Sequence, residues 1–109
     1  MSDLRIVFTT IASMEQAERL ARALIDAHLA ACVNIIPGIR SFYSWQGELH
    51  DDPEFLLLIK TSANNLPKLE QSFESLHPYE TPEFVVVEPG QVSDRYLSWA
   101  LKAVEKGST

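Results

Sequence analysis

Ile39–Thr61 reads IRSFYSWQGELHDDPEFLLLIKT, and how this stretch folds decides the rest of the chain. Ile39 to Trp45 reads as extended chain, and Gln46-Gly47 is a tight-turn pair in which glycine is free to take positive φ. A strand follows, loosely from Glu48 and firmly from Phe55 to Thr61, so the two arms form a long hairpin. Upstream, Cys32 to Ile36 (CVNII) extends the first arm, and Pro37-Gly38 marks a bend or bulge within it.

Working outward, Leu4 to Thr10 (LRIVFTT) is a short strand. Ser13 opens a helix as N-cap with Gln16 three positions on, and Met14, Ala17, Ala21, Leu24, Ile25 and His28 recur at helical spacing as its core face. Beyond the hairpin, Asn64 or Asn65 caps a second helix with Pro67 in its first turn and a stripe of Leu66, Leu69, Phe73 and Leu76. The residue before a proline is pushed out of the α region, so this helix should end near His77. In HPYETPE (His77 to Glu83), Pro82 should then start a fourth strand running from Phe84 to Glu88. Pro89-Gly90 turns the chain, and Ser93 caps a last helix with Leu97, Ala100, Leu101 and Val104.

The order is βαββαβ with an extra C-terminal helix, an α+β chain. Two right-handed crossovers joined by a hairpin give a ferredoxin-like, four-stranded antiparallel sheet with helices on one face. A sheet wet on its other side should alternate apolar and polar residues, yet FLLLI and FVVV do not. The second face is therefore expected to be covered, by the C-terminal helix or by other subunits. One short helix covers only part of four strands, which favours a homo-oligomer packed through its sheets.

A chain of 109 residues is one domain, 1–109, and large enough for a core without staples. A net charge of −6 with scattered Lys and Arg argues against nucleic acid. No apolar stretch is long enough to span a bilayer, and MSDLRIVFTT lacks the marks of a signal peptide. A lone cysteine, Cys32, allows no internal disulfide and fits a reducing compartment, so a cytoplasmic protein is expected.

Five segments, LAACVN (Leu29–Asn34), SFYSWQGE (Ser41–Glu48), LLLIKT (Leu56–Thr61), HPYETPE (His77–Glu83) and YLSW (Tyr96–Trp99), resemble the CutA divalent-cation tolerance family in order and spacing. The resemblance runs from about Ile6 to Leu101 and implies a ferredoxin-like protomer in a tight homotrimer, similar in architecture to PII signalling proteins. It also implies a cytosolic protein linked to copper and other divalent cations. Some members hold copper on a first-strand cysteine and on two consecutive histidines before the proline. Here those positions read Thr9, Leu76 and His77, so only the last ligand is present.

His77 and Cys32 are the candidate metal donors, since imidazole and thiolate suit copper and zinc. Their other readings are a polar helix end for His77 and a small buried hydrophobe for Cys32, beside Ala30, Ala31 and Val33. His77, Glu80 and Glu83 fall every third residue, but Pro78 and Pro82 forbid the helix that would align them, so HPYETPE is a joint before it is a chelate. ELHDDPE (Glu48–Glu54) lacks the spacing of a calcium loop and reads as a solvated hairpin. In the family fold Trp45, Lys60, Tyr79, Glu80 and Glu83 would gather with His77 near a cleft between subunits. No nucleophile-elbow, phosphate-loop, dinucleotide or zinc-protease motif occurs, so an enzyme is not expected. Two functions stand: a non-enzymatic trimer with weak metal contacts at subunit clefts, or a PII-like signalling or scaffold trimer that takes a small anionic ligand or a partner protein.

Overall fold

The computed structural model describes residues 3–105; the ends of the single 1–109 domain reading, residues 1, 2 and 106–109, lie outside those described. The elements run β1 (Leu4–Ile11), α1 (Met14–Asp26), β2 (Cys32–Trp45), β3 (Glu48–Ser62), α2 (Leu66–Leu76), β4 (Val85–Val87) and α3 (Asp94–Ala103). All pairings are antiparallel and the sheet order is β2-β3-β1-β4, the expected split-βαβ arrangement.

Each boundary has a local cause. The Ser13 hydroxyl accepts the Gln16 N–H at 3.1 Å and starts α1. α1 stops because His28 takes a left-handed φ of 60°, letting His28 N–H reach the Ile25 carbonyl and Leu29 N–H the Leu24 carbonyl. That is a Schellman ending with histidine where glycine is usual. The core face of α1 is Ala17, Leu20 and Leu24, whereas Met14, Ile25 and His28, expected on it, are exposed. The stripe turns by about 100° per residue, so Leu20, one turn before Leu24, fits where Ile25 does not. A 3-10 turn over Ala63–Asn65 leads into α2, and the expected cap of Asn65 is not made. Its side chain instead donates to the His28 carbonyl at 3.2 Å, tying the two helix ends together. α2 ends at Leu76, and His77 is already extended (φ −85°, ψ 135°), as the following proline requires. Leu69 and Phe73 point inward, but Leu76, expected on the same stripe, is exposed.

β4 is shorter than its sequence suggests. Only Val85–Val87 pair with β1, so Pro82 precedes the ladder by three residues and Phe84 and Glu88 lie outside it. Phe84 has turned into the core, its ring edge-on to Phe73 at 5.1 Å. That aromatic pair anchors the segment that joins α2 to β4.

Val7, Ile11, Leu57 and Ile59 meet Ala17, Leu20, Leu24, Leu69 and Phe73 between the sheet and the two crossover helices. Each such aliphatic side chain contributes about 1.5–3 kcal/mol on burial. The register places Ile6, Phe8, Leu56, Leu58, Ile36, Val85 and Val87 on the opposite face. α3 covers one end of that face, where Lys60 Nζ lies 5.9 Å from the centre of the Tyr96 ring. The rest is uncovered: Val85 is 50% and Ile36 39% exposed.

The hairpin carries two irregularities. Gln46 (φ 53°) and Gly47 (φ 81°) form its tip, as the turn pair predicts. At Pro37-Gly38 the pairing steps from Ile36↔Leu56 to Ile39↔Glu54, one extra residue on β2, with Gly38 at φ 82°. This is a β-bulge, and it changes which face the rest of β2 presents. Before it, Ile36 shares a face with Leu56. After it, Ser41, Tyr43 and Trp45 pair with Asp52, His50 and Glu48, on the face of Glu54.

Candidate functional site

That register shift builds a cleft. Tyr43 and Trp45 of β2, Glu54 of β3, Thr10 of β1 and Tyr79–Glu83 surround a cavity of about 760 Å³. Trp45, Tyr79, Glu80 and Glu83, expected together from sequence, line it within a single protomer. Lys60, expected with them, does not. It lies six residues from Glu54 on the same strand, roughly 20 Å away, with its ammonium over the Tyr96 ring.

The cleft floor is an acid. Glu54 is 8% exposed, and its Oε2 accepts the Tyr79 hydroxyl at 2.5 Å. Among the described residues no other hydrogen-bond donor or cation reaches this carboxylate, and no Lys or Arg lines the cleft. A buried carboxylate without a cation leaves a strong negative field around it. Two neighbouring groups are shifted, first by their own burial and then by Glu54. Partial burial, then the Glu54 charge, push the Glu83 carboxyl up, although the residue as a whole is exposed. Burial, the bond to Glu54 and its charge hold the Tyr79 phenol far above its ordinary range. Farther along the hairpin the Tyr43 hydroxyl donates to Asp52 at 2.6 Å, which raises the phenol, and its ring stacks on His50 at 5.1 Å.

His77 sits behind the cleft. It is 6% exposed, and its Nδ1 accepts the Tyr79 N–H at 3.1 Å. The neutral ring therefore carries its proton on Nε2, 3.0 Å from the Thr9 hydroxyl. Burial lowers its pKa, against the opposing pull of the Thr10 backbone and the Glu54 charge. Both ring nitrogens are engaged, so an ion reaches this imidazole only by displacing one of these bonds.

Cys32 is half-buried at the start of β2, opposite Lys60 and so on the sheet face away from the two crossover helices, with Sγ 3.9 Å from the Asn34 side-chain oxygen. Thr9, and with it His77, belongs to the helix-covered face. The two candidate metal donors are thus on opposite sides of the sheet and cannot share an ion within one protomer. Among the described residues no three His, Cys, Asp or Glu side chains are grouped to hold a metal. From sequence, Glu54 reads as part of the solvated stretch Glu48–Glu54, and Tyr43 as an aromatic of the core or an interface. The signal that finds them is Pro37-Gly38, once its bulge is counted into the register.

Residues 5–103 match the family described as CutA1 divalent ion tolerance protein. The chain is 46% identical over 94 residues to the divalent-cation tolerance protein CutA of Thermus thermophilus, covering 86% of this chain and 91% of that one. It is 39% identical to the chloroplastic protein CutA of Arabidopsis thaliana over 86% of this chain, but spans only 52% of that longer protein. The crystal structure of CutA from Xylella fastidiosa superimposes with a TM-score of 0.92 at 36% identity, covering 95% of this chain and 100% of that one.

Proposed function

This chain belongs to the CutA1 divalent ion tolerance family, and on that premise we propose that it is a non-enzymatic, cytoplasmic tolerance protein that works as a homotrimer. The observation that carries the assembly is the uncovered sheet face, where Val85, Val87 and Ile36 stand exposed beside Ile6, Phe8, Leu56 and Leu58. Apolar surface of this extent on a sheet with a three-residue edge strand favours burial against further copies.

One protomer does not suit a chelated ion, since Cys32 and His77 face apart and His77 is fully bonded. Copper or another divalent ion, the cargo of tolerance in this reading, meets single donors: the Cys32 thiol, or the carboxylates of the cleft. Subunit clefts are where donors of a second copy join them. His77 serves this reading as a structural residue.

The second reading, a PII-like signalling or scaffold trimer, is favoured by the cleft itself. Its acidic lining speaks against an anionic ligand there and for a positively charged one. Light scattering at micromolar concentration tests the assembly: a mass of three chains is expected, and Val87→Asp should lower it. A wild-type monomer removes the trimer and with it the subunit-cleft reading.

A further inference from the structure

We propose that the cleft between the β2–β3 hairpin and the Tyr79–Glu83 segment is a binding site for a small organic cation with N–H donors, an alkylammonium or a guanidinium. The inference rests on the ligand-binding reading of the cleft and not on the metal reading.

Three independent features of the site fit that chemistry. The first is the acid at its floor, which has no cation partner among the described residues. Glu54 is more than nine-tenths buried, and the one donor to it among the described residues, the Tyr79 hydroxyl, takes only Oε2. Oε1 has no donor, yet no buried polar atom among the described side chains lacks a partner, so this oxygen opens into the cleft. A charged N–H group placed there makes a charge-assisted bond with a carboxylate whose residue the fold holds mostly away from water.

The second is the wall. Tyr43, Trp45 and Tyr79 line the cavity, and aromatic faces attract desolvated cations. An anion gains nothing from those faces and is repelled by Glu54, Glu80 and Glu83. A bare divalent ion gains little from rings, and the carboxylates are not grouped to enclose one. An organic cation uses both the apolar wall and the acid floor. The same hairpin already holds such a contact on its outer side, where the Arg40 guanidinium lies 5.4 Å from the centre of the Phe42 ring.

The third is how the site is made. Without the extra residue at Pro37-Gly38, Tyr43 and Trp45 would turn to the face of Val33 and Ile35, away from Glu54. At the other wall, His77 fixes the Tyr79 backbone through its N–H, which sets the phenol on Glu54. A cavity of about 760 Å³ suits a small molecule and not a folded partner.

The test is calorimetry of the full chain in EDTA, at low salt, with cadaverine and agmatine as probes. Pentane-1,5-diol and glutarate serve as the uncharged and anionic controls of similar length. Trp45 fluorescence, read in a Trp99→Phe background, reports the site directly. Binding of both cations and of neither control is expected, weakened by added salt. Glu54→Gln and Glu83→Gln should each raise Kd by about tenfold; Glu83 is exposed, so its variant keeps the test sound if Glu54→Gln folds poorly. Glutarate binding as tightly as cadaverine overturns the proposal, as does unchanged affinity in the Glu83→Gln variant. So does the absence of any cation binding at about 10 mM, far weaker than a built site of this kind should give. Because EDTA removes free metal and assembly is read separately by light scattering, these outcomes leave the tolerance and trimer reading standing or falling on its own test.

Discussion

His77 Nε2 lies 3.0 Å from the Thr9 hydroxyl and joins the exit of α2 to the middle of β1, two points 68 residues apart in the chain. The opposite ring nitrogen holds the Tyr79 N–H, so one imidazole fixes both the helix end and the start of the cleft wall. The ring also packs against Phe73 and Tyr79, with centroids 5.2 and 5.0 Å away. A histidine that looks like a ligand in sequence is here a buried structural crosspiece.

His77→Ala leaves the Thr9 hydroxyl and the Tyr79 amide without their partner and opens a void beside Phe73. It should lower unfolding free energy by about 2–4 kcal/mol in urea titrations. The wild type should also carry a pH signature. The unfolded histidine titrates near 6.5 and the folded one below it, so the unfolded chain binds the proton more readily. The contribution is complete above 6.5 and is lost as pH falls through the folded value. The wild-type minus His77→Ala stability difference should therefore shrink on acidification, and a flat difference would dismiss the neutral-ring account.

Tyr79→Phe removes the hydroxyl that donates to the buried Glu54 carboxylate. A loss of about 1–3 kcal/mol is expected in thermal or urea unfolding. In a double-mutant cycle with Glu54→Gln the two losses should be less than additive, because they break the same bond. Strict additivity would show that the hydroxyl and the carboxylate do not act together.

Gly47 tests the hairpin tip. Its φ of 81° lies where L side chains are strained, while an added Cβ would meet nothing within 4 Å. Gly47→Ala should therefore cost about 1–2 kcal/mol through backbone strain alone. Gln46→Asn, at φ 53°, should be neutral or slightly stabilising, because asparagine tolerates this region better. Equal effects of the two changes would argue against the turn geometry.

Calorimetry with Cu(II) and Zn(II) separates the two candidate donors. His77→Ala should leave the titrations unchanged, whereas Cys32→Ser should weaken copper binding, since a half-buried thiol is the softer and freer donor. A large loss on His77→Ala with Cys32→Ser silent would reverse the assignment.

Much of the fold can be read from residue order because its causes are local. Pro78 forces His77 out of the helix, Gln46-Gly47 closes the hairpin, and Ser13 and Ser93 cap helices, each within a few residues of its effect. The apolar runs in β3 and β4 likewise announce a second sheet face with hydrophobic surface to cover. What the sequence alone determined was this order of elements and the class of the chain. The tertiary structure decided which side chains meet. Cys32 and His77 are parted because the sheet lies between them, and Lys60 is removed from the cleft by six residues of extended strand. Tyr43, Trp45 and Glu54 come together because one extra residue at Pro37-Gly38 turns a strand over. Side chains alternate with a period of two, so a single-residue shift moves every later residue to the other face, and nothing within the hairpin's own sequence states against which partner that shift is counted.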